Sequence, residues 1–276
     1  MRWGAAQPAA RIGAVLADDL IAAHEQGREV APFSARYPGL TAGDGYAAAR
    51  ALHDHRLRQG WRPAGRKIGF TNRTLWPRYG VYEPMWGTVY DRTLVEAPHN
   101  RAVVNLRGLV QPRIEPEIAF QLKRAPSASD VPHLLGCIDW IAHSVEIVQC
   151  HHPQWRVTIA DCCADNGLHG RLIVGAPLSI SGIADLAGKL PAVEARLYRG
   201  EELMDRGIGA NVLGSPLLAL GYLVELLAKA EPADRLRAGE IVSTGVLTDA
   251  HPVAAGDTWR TELHGLPLPG LSIVFQ

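Results

Sequence analysis

The chain has 276 residues, of which 47% are hydrophobic and 20% are charged, as is typical of a globular protein with a sizeable core. Lys and Arg together number 28, as do Asp and Glu, so the formal net charge is zero. Because nucleic acids and anionic membranes select a basic surface, this balance argues against either as the main partner and is compatible with a small anionic substrate.

Neither a signal peptide nor a membrane-spanning segment is predicted. The first residues lack a bounded apolar core with a cleavage site, and no stretch is long and apolar enough to span a bilayer. We therefore expect a cytoplasmic protein. The four cysteines form no CxxC pair and are expected to be reduced thiols, mostly buried: Cys137, Cys150, Cys162 and Cys163.

Residues 1–60 are predicted to form a helical lobe of two helices. Apolar residues recur on one face of the first helix: Ile12, Val15, Leu16 and Leu20. Gly27 is placed as its C-terminal cap. The second helix begins with a capping-box-like Thr41-Ala-Gly-Asp44 and ends at Gly60.

Residues 61–276 are predicted to form a β-rich catalytic core. Strands are expected at residues 66–70, 87–90, 117–123, 142–148, 171–174, 192–198, 240–243, 258–263 and 271–275. Two helices interrupt them, one at 131–140 and one that opens at Ser215-Pro216. Because strands and helices do not alternate regularly, we expect an α+β fold with a mixed β core in a single domain, 1–276.

Two glutamates at the start of one predicted strand are candidate site residues. Glu115 and Glu117 are two residues apart, so both side chains point to the same face of a strand. Adjacent carboxylates repel each other unless a cation lies between them. A solvated edge strand is the alternative, but Pro116 and the apolar strand that follows favour an organised site.

A third carboxylate, Glu146, lies in a β-branched, apolar strand, where a charged side chain is costly to bury without a partner. A metal ion would be an adequate partner. Because oxygen ligands suit hard cations, the three glutamates indicate Mg²⁺ or Mn²⁺, with open positions for water or a chelating substrate.

Lys67 is a candidate cation in a short strand between glycines. Its pKa could be lowered by burial, or it could pair with a carboxylate. Arg66, next to it, is expected to face the opposite side of the strand.

Two polar turns complete the candidates. The segment from Asp161 to Asn166 is either a capped turn or part of a site. The segment that starts at Thr244 follows a predicted strand, and Gly245 would let backbone N–H groups approach a carboxylate. A plain turn is the alternative for both segments.

Taken together, these segments resemble the 2-oxo-pent-4-enoate hydratase / 4-oxalocrotonate decarboxylase family of the fumarylacetoacetate hydrolase superfamily. The resemblance covers nearly the whole chain in order, through GRKIGFT, YGVYEPMWGTVYD, VQPRIEPEIAFQL, SVEIV, DCCADN and LRAGEIVSTGVLTDAHPVAAGDTW. PRIEPEIAF and AGEIVSTGVLT are the most specific of these motifs.

The resemblance implies a mixed β-roll core with an N-terminal helical region. It implies Mg²⁺ or Mn²⁺ held by Glu115, Glu117 and Glu146, an essential Lys67, and homo-oligomers. A complex with a related decarboxylase or hydratase is also implied. The expected substrate is a small 2-oxo acid, with six candidate substrate-binding residues: Arg66, Asp161, Asn166, Thr244, Gly245 and Leu247.

The expected reaction is addition of water to the conjugated double bond of a 2-hydroxy-dienoate or 2-oxo-enoate from aromatic breakdown. Two departures from the family pattern bear on that reaction. Met85-Trp86-Gly87 has Met where the family often has an acid, and Leu168 replaces a frequent Ser.

Two alternatives therefore stay open. The first is a decarboxylase or C–C hydrolase that acts on a related 2-oxo or 1,3-diketo acid. The second is a non-catalytic paralogue that serves as a structural subunit. Because Lys67 and the three glutamates are all present, an enzyme is favoured over this second alternative.

Overall fold

A computed structural model describes residues 9–276, with side chains described from residue 15 onward, so the side chain of Ile12 lies outside the described residues. The helices are α1 (Ala9–Gln26), α2 (Phe33–Arg36), α3 (Ala42–Arg58), α4 (Trp76–Tyr79), α5 (Val131–Cys137), α6 (Ile159–Ala164), α7 (Leu186–Lys189) and α8 (Pro216–Ala228). The strands are β1 (Pro63–Gly69), β2 (Met85–Tyr90), β3 (Leu94–Glu96), β4 (Arg101–Val104), β5 (Arg113–Leu122), β6 (Ile138–Val148), β7 (His169–Val174), β8 (Leu178–Ser179), β9 (Glu194–Arg199), β10 (Glu202–Ile208), β11 (Ile241–Ser243), β12 (His251–Pro252), β13 (Thr258–His264) and β14 (Ser272–Phe275).

The helices of the N-terminal region pack on one another through an apolar cluster that includes Leu16 of α1 and Leu52 of α3. Helix α1 ends just before Gly27, which has a positive φ of 58°. Helix α3 begins with the predicted capping box, in which Thr41 and Asp44 each bond the backbone N–H of the other. The predicted C-terminal end of α1 and the predicted N-terminal start of α3 are both confirmed.

Two mixed sheets form the β core. The larger sheet has nine strands, with the path β2-β1-β11-β5-β6-β7-β3 and with β12 and β8 paired to β5 and β6. The smaller sheet has five strands in the order β10-β9-β13-β14-β4. Most neighbours are antiparallel, but β1 and β11, β3 and β7, and β4 and β14 run parallel. This arrangement confirms the predicted α+β fold with a mixed β-roll core.

Apolar side chains from the two sheets pack against each other. Ile114 and Val145 of the larger sheet and Leu197 and Trp259 of the smaller sheet belong to one buried cluster. Helix α8 starts at the N-cap Ser215 as predicted and packs into a second, larger cluster. The larger sheet, which carries the three glutamates, is therefore supported by packing against the smaller sheet and against helix α8.

All nine predicted strands are present, with small shifts of their ends. Strands β3, β4, β8, β10 and β12 were not predicted. The helix predicted at 131–140 is wrong in its second part, because α5 ends at Cys137 and β6 begins at Ile138. Ile138 and Trp140 pair with Leu122 and Gln121 of β5, and this sheet pairing overrides the local helical pattern.

The structure also bears on the predictions for the cysteines and for membrane-spanning segments. The four cysteines are free and buried, as expected. Among residues 9–276, no helix combines the length and the apolar character that crossing a membrane requires. The assignment of residues 1–276 to a single domain stays a prediction.

Candidate metal centre

Three glutamates meet on one face of the larger sheet. Glu115 on β5 lies directly opposite Glu146 on the antiparallel strand β6, and Glu117 lies opposite Ser144. Because alternate residues share a face of a strand, the side chains of Glu115 and Glu117 both point toward Glu146. One oxygen from each of the three carboxylates lies within 4.8 Å of the others. The structure thus brings together the three residues that the sequence singled out.

The local environment opposes full ionisation of these three carboxyls. Burial raises the pKa of Glu115, Glu117 and Glu146, and the charge of Glu146 raises it further for the first two. The pKa of Glu117 rises to about 8. The positive charge of Lys67 acts in the opposite direction on each. The cluster is therefore poised to take up cations, either protons or a metal ion.

The donor set fits a hard divalent cation. Glu117 Oε1 is fully buried and lacks a hydrogen-bond partner among the described residues, whereas Glu146 Oε2 has the ammonium of Lys67 at 3.2 Å. An orphaned, buried carboxylate oxygen is costly unless a cation satisfies it. When all three carboxyls are ionised, the glutamates and Lys67 carry a net charge of −2, which one divalent ion would balance. Oxygen-only ligands suit Mg²⁺ or Mn²⁺ better than softer metals.

Lys67 on β1 completes the charged cluster. Its Nζ lies 3.2 Å from Glu146 Oε2 and donates a hydrogen bond of 2.9 Å to the carbonyl oxygen of Gly167. Burial alone would lower the pKa of Lys67, but the glutamates, Glu146 foremost, outweigh burial and raise it. Of the two alternatives predicted for Lys67, the structure shows pairing with a carboxylate.

His169, at the start of β7, orients one of the glutamates and was not predicted. Its Nδ1 lies 2.8 Å from Glu146 Oε1, and its Nε2 lies 2.8 Å from Thr93 Oγ1. Burial, followed by the positive charge of Lys67, lowers its pKa well below the usual range, so the ring is neutral and its Nδ1–H donates to the carboxylate. Its only signal in the sequence is a lone polar residue ahead of an apolar strand.

The segment after β11 holds Glu117 from the other side. The Ser243 hydroxyl and the Gly245 N–H, at 2.9 Å, both donate to Glu117 Oε2. Gly245 has a φ of +103°, and a Cβ there would lie 1.8 Å from Thr71 Oγ1, so only glycine fits. Thr244 turns its hydroxyl to the carbonyl oxygen of Ile118. As predicted, the Gly245 N–H approaches a carboxylate, here that of Glu117. The hydrogen bond from Ser243 to the same carboxylate was not predicted.

Two predicted substrate-binding residues lie away from the glutamates. Arg66 points to the opposite side of β1 from Lys67, where its Nη1 lies 3.1 Å from Glu240 Oε1. Leu247 is fully buried in the hydrophobic core, and its N–H donates to Pro116 O at 2.9 Å. Strand alternation and core packing thus remove both side chains from contact with a ligand at the cluster.

Asp161 and Asn166 have structural roles in the described part of the chain. Asp161 is the third residue of α6 and forms a capping box with Thr158, and it also accepts hydrogen bonds from Ser34. The Asn166 side chain bonds both the N–H and the carbonyl oxygen of Thr88. Asp161 thus caps the start of α6, whereas Asn166 bonds strand β2, and a role of either residue in substrate binding stays a prediction.

A small cavity of about 50 Å³ opens beside Lys67 and Glu115. Its wall is mainly aromatic and apolar, formed by Phe70, Tyr79, Met85, Trp155, Leu168 and Val246. Both departures from the family pattern, Met85 and Leu168, contribute to this wall. The cavity therefore has two charged residues, Lys67 and Glu115, on one side and mainly apolar side chains on the other.

A second buried polar cluster holds the turn at residues 166–168. Asp165 Oδ1 lies 2.7 Å from His151 Nδ1 and 2.9 Å from His24 Nε2, and Arg56 Nη2 lies 3.1 Å from His24 Nδ1. Burial alone would raise the pKa of Asp165, but the two histidines lower it well below the usual range. These groups are close enough to share an ion, and Arg56 adds a positive charge on the other side of His24. We interpret the cluster as an anchor for the turn.

Comparisons with known proteins identify relatives of this chain. No family model matches the chain. It is 30% identical to 2-keto-4-pentenoate hydratase of Paraburkholderia xenovorans over 253 residues, which cover 91% of this chain and 90% of the relative. It is 32% identical to 2-hydroxyhexa-2,4-dienoate hydratase of Comamonas testosteroni over 246 residues, 87% of this chain and 89% of the relative.

A solved structure extends the likeness to three dimensions. The 4-oxalocrotonate decarboxylase from Pseudomonas putida G7, complexed with magnesium and adipate, superimposes with a TM-score of 0.86 at 25% identity. The superposition covers 99% of this chain and 100% of that chain. The resemblance noted from the motifs is confirmed: the chain is an enzyme of the 2-oxo-pent-4-enoate hydratase / 4-oxalocrotonate decarboxylase family, within the fumarylacetoacetate hydrolase superfamily.

Proposed function

We propose that this enzyme is a divalent-metal-dependent lyase that adds water to the conjugated double bond of a small 2-hydroxy-dienoate or 2-oxo-enoate. The observation that carries the proposal is the trio of buried carboxylates beside Lys67, of which Glu115, together with Lys67, lines a small cavity. The relatives named as hydratases and the magnesium-bound structural neighbour support it.

Glu115, Glu117 and Glu146 would hold the ion, with Mg²⁺ as the preferred choice and Mn²⁺ as its alternative. When bound, the cation supplies Lewis-acid polarisation of the carboxylate and 2-oxo oxygens of the substrate. His169 and Ser243 hold the carboxylates in orientation, because each donates a hydrogen bond to a glutamate oxygen.

Lys67 would move the proton that interconverts the enol and keto forms of the substrate. Its Nζ is positioned by the carbonyl oxygen of Gly167 and faces the cavity. Once the carboxylates are neutralised, burial dominates and the pKa of Lys67 falls. The ammonium then gives up and regains its proton more readily.

Decarboxylation of a related 2-oxo acid is a second candidate, favoured by the apolar side chains of Met85 and Leu168 in the cavity wall. Hydration needs an ordered, polarised water, whereas loss of CO₂ is favoured where a carboxylate is poorly solvated. Both reactions use the same electron sink at the metal-held end of the substrate.

The test is turnover of 2-hydroxypenta-2,4-dienoate by the purified protein with Mg²⁺. We expect the dienoate absorbance to disappear without CO₂ release, and we expect Glu117→Gln to abolish turnover. The exposed Glu202→Gln on β10 is the matched control and should keep full activity. Equal turnover by the wild type after chelator treatment, or by Glu117→Gln, would overturn the proposal.

Assembly and location are part of the same proposal. We propose a cytoplasmic homo-oligomer that binds a small 2-oxo acid and associates with a related decarboxylase or hydratase. Light scattering of the purified protein tests the homo-oligomer, and a single mass of 29.9 kDa would contradict it.

A further inference from the structure

The turn at residues 166–168 has an unusual backbone, and it carries the carbonyl oxygen that holds Lys67. Asn166, Gly167 and Leu168 have φ values of 49°, 66° and 63°, so three consecutive residues lie in the left-handed region. Only glycine adopts this region readily, and the two residues beside it therefore need support from their surroundings. The hydrogen bond from Lys67 Nζ ends on Gly167 O, in the middle of this strained turn.

The direction of the Lys67 ammonium depends on this contact. An ammonium has three N–H donors, and two of its acceptors here are Glu146 Oε2, at 3.2 Å, and Gly167 O, at 2.9 Å. The third N–H remains for a ligand in the cavity that Lys67 lines. The charges of Glu115 and Glu117 also attract the ammonium. Without the carbonyl oxygen, Nζ would be drawn among the carboxylates and away from a ligand.

Asp165, which directly precedes the turn, supports it. Its carbonyl oxygen accepts a hydrogen bond of 2.8 Å from the N–H of Leu168 and so closes the turn. The His151 N–H donates to Asp165 Oδ2 at 3.0 Å, and His151 Nδ1 lies 2.7 Å from Oδ1. His24 Nε2 lies 2.9 Å from the same Oδ1. Because Asp165 and His151 are fully buried, water does not replace these partners.

Arg56 fixes the position of the proton on His24. Its Nη2 lies 3.1 Å from His24 Nδ1. Because a guanidinium only donates hydrogen bonds, Nδ1 must be the acceptor, and the ring proton is on Nε2. His24 Nε2–H therefore donates to Asp165 Oδ1. A directed chain of hydrogen bonds runs from α3 through α1 to the turn that holds Lys67.

We propose that His24 and His151 are positioning residues for proton transfer: through Asp165 they keep the strained turn in place, and the turn keeps Lys67 Nζ directed at the ligand. This rests on the proposed function, in which Lys67 moves a proton of the substrate. Because His24 belongs to α1, the N-terminal helical region takes part in catalysis by acting on the turn rather than on the ligand. The expected effect is on the rate of turnover and not on the binding of Mg²⁺ or substrate.

Steady-state kinetics of two variants at residue 24 test the inference. The kcat for 2-hydroxypenta-2,4-dienoate is expressed per Mg²⁺ site counted by calorimetry, so that unfolded protein does not contribute. His24→Leu removes both hydrogen bonds and should lower kcat roughly 10- to 100-fold, with KM and Mg²⁺ affinity unchanged. His24→Gln offers an amide oxygen to Arg56 and an amide N–H to Asp165, so it should restore kcat close to the wild-type value.

Two further variants complete the test. His55→Leu is the matched control, because His55 also joins α3 to α1, through Glu25 Oε1 at 2.7 Å, and its hydrogen-bond partners are Glu25 and Gln59. This control should keep the wild-type kcat. His151→Leu removes the other side-chain donor to Asp165 and should lower kcat in the same way as His24→Leu, which provides the test if one of the two variants does not fold.

The outcomes separate this inference from the proposed function. A wild-type kcat in His24→Leu and His151→Leu would overturn the inference and leave the metal-dependent lyase standing. A His24→Gln variant as slow as His24→Leu would also overturn it, since the hydrogen bonds would then not be the cause. A parallel loss of kcat and Mg²⁺ affinity would place the effect at the glutamates and contradict the role of the turn. A wild type that binds Mg²⁺ but does not turn over the dienoate would remove the proposed reaction and the inference together.

Discussion

Glu115 and Glu146 are direct partners across the antiparallel pair of β5 and β6, and their carboxylate oxygens lie within 4.8 Å of each other. Like charges that face each other across a sheet are destabilising. Lys67 offsets only part of this repulsion, because it pairs with Glu146 alone within 4.0 Å. The repulsion between these two carboxylates therefore destabilises the metal-free fold, and a bound metal ion would remove this destabilisation.

The raised pKa of Glu117 predicts proton release on metal binding. Because its pKa is about 8 in the metal-free protein, this carboxyl is largely protonated at pH 7 and must lose its proton to become a ligand. The apparent Mg²⁺ affinity should therefore rise with pH, by up to roughly tenfold per pH unit below pH 8. Calorimetry in two buffers with different ionisation enthalpies measures the released protons, and an affinity that is independent of pH would contradict the prediction.

Removal of the His169 side chain should weaken metal binding without removing a ligand. In His169→Ala the carboxylate of Glu146 loses the donor that fixes its orientation. We expect the Mg²⁺ affinity to fall by roughly 10- to 100-fold. The replacement His133→Ala, on α5 and away from the glutamates, serves as control and should leave the affinity unchanged. An unaltered affinity in His169→Ala would show that the Glu146–His169 contact has no role in metal binding.

A methyl group at residue 245 should disturb the site through the backbone. In Gly245→Ala the new Cβ meets Thr71 Oγ1, and the N–H that donates to Glu117 must shift. We expect a loss of roughly 1–3 kcal/mol in the free energy of unfolding, together with weaker Mg²⁺ binding.

Denaturant titration and calorimetry measure these two effects of Gly245→Ala. The double variant Gly245→Ala/Thr71→Ala relieves the closest contact and should recover part of the stability. If the single variant is as stable as the wild type, the close packing of Gly245 against Thr71 is not a constraint on this turn.

The buried His24 predicts a pH dependence of stability. Burial, followed by repulsion from His151, lowers its pKa to about 3, below the value of 6.5 in an unfolded chain. As the pH falls, the unfolded chain takes up the proton first, so the stability contributed by neutral His24 is present above pH 6.5 and is lost progressively toward pH 3.

Urea unfolding at pH 7.5 and pH 5.0 measures this effect. Between these two values the wild type should lose about 2 kcal/mol more than His24→Gln, which has no titrating group at this position. Equal losses in the two proteins would show that His24 titrates normally in the folded state.

Local patterns in the sequence were sufficient to predict the three glutamates. Alternation along a strand places Glu115 and Glu117 on one face, and Glu146 stands out as an acid among apolar, β-branched residues. The same rule assigned Lys67 and Arg66 to opposite sides of β1, as observed. Properties that depend on one strand at a time were thus predictable.

Contacts between distant segments were not predictable from these patterns. Ser243 reaches Glu117 only because β11 pairs with β5 in one particular register, and a shift by one residue would point the hydroxyl away. His169 contacts Glu146 for a similar reason, through the pairing of β7 with β6. The switch from α5 to β6 at Ile138 also follows from sheet pairing, which an isolated apolar run does not reveal.

Electron paramagnetic resonance of Mn²⁺ titrated into chelator-treated protein tests the central claim most directly, because only free Mn²⁺ gives a strong signal. We expect one tightly bound Mn²⁺ per chain in the wild type and in Glu202→Gln, and none in Glu117→Gln. A wild-type protein that leaves the Mn²⁺ signal at its free value would contradict the account, since the three buried carboxylates would then have no cation to hold.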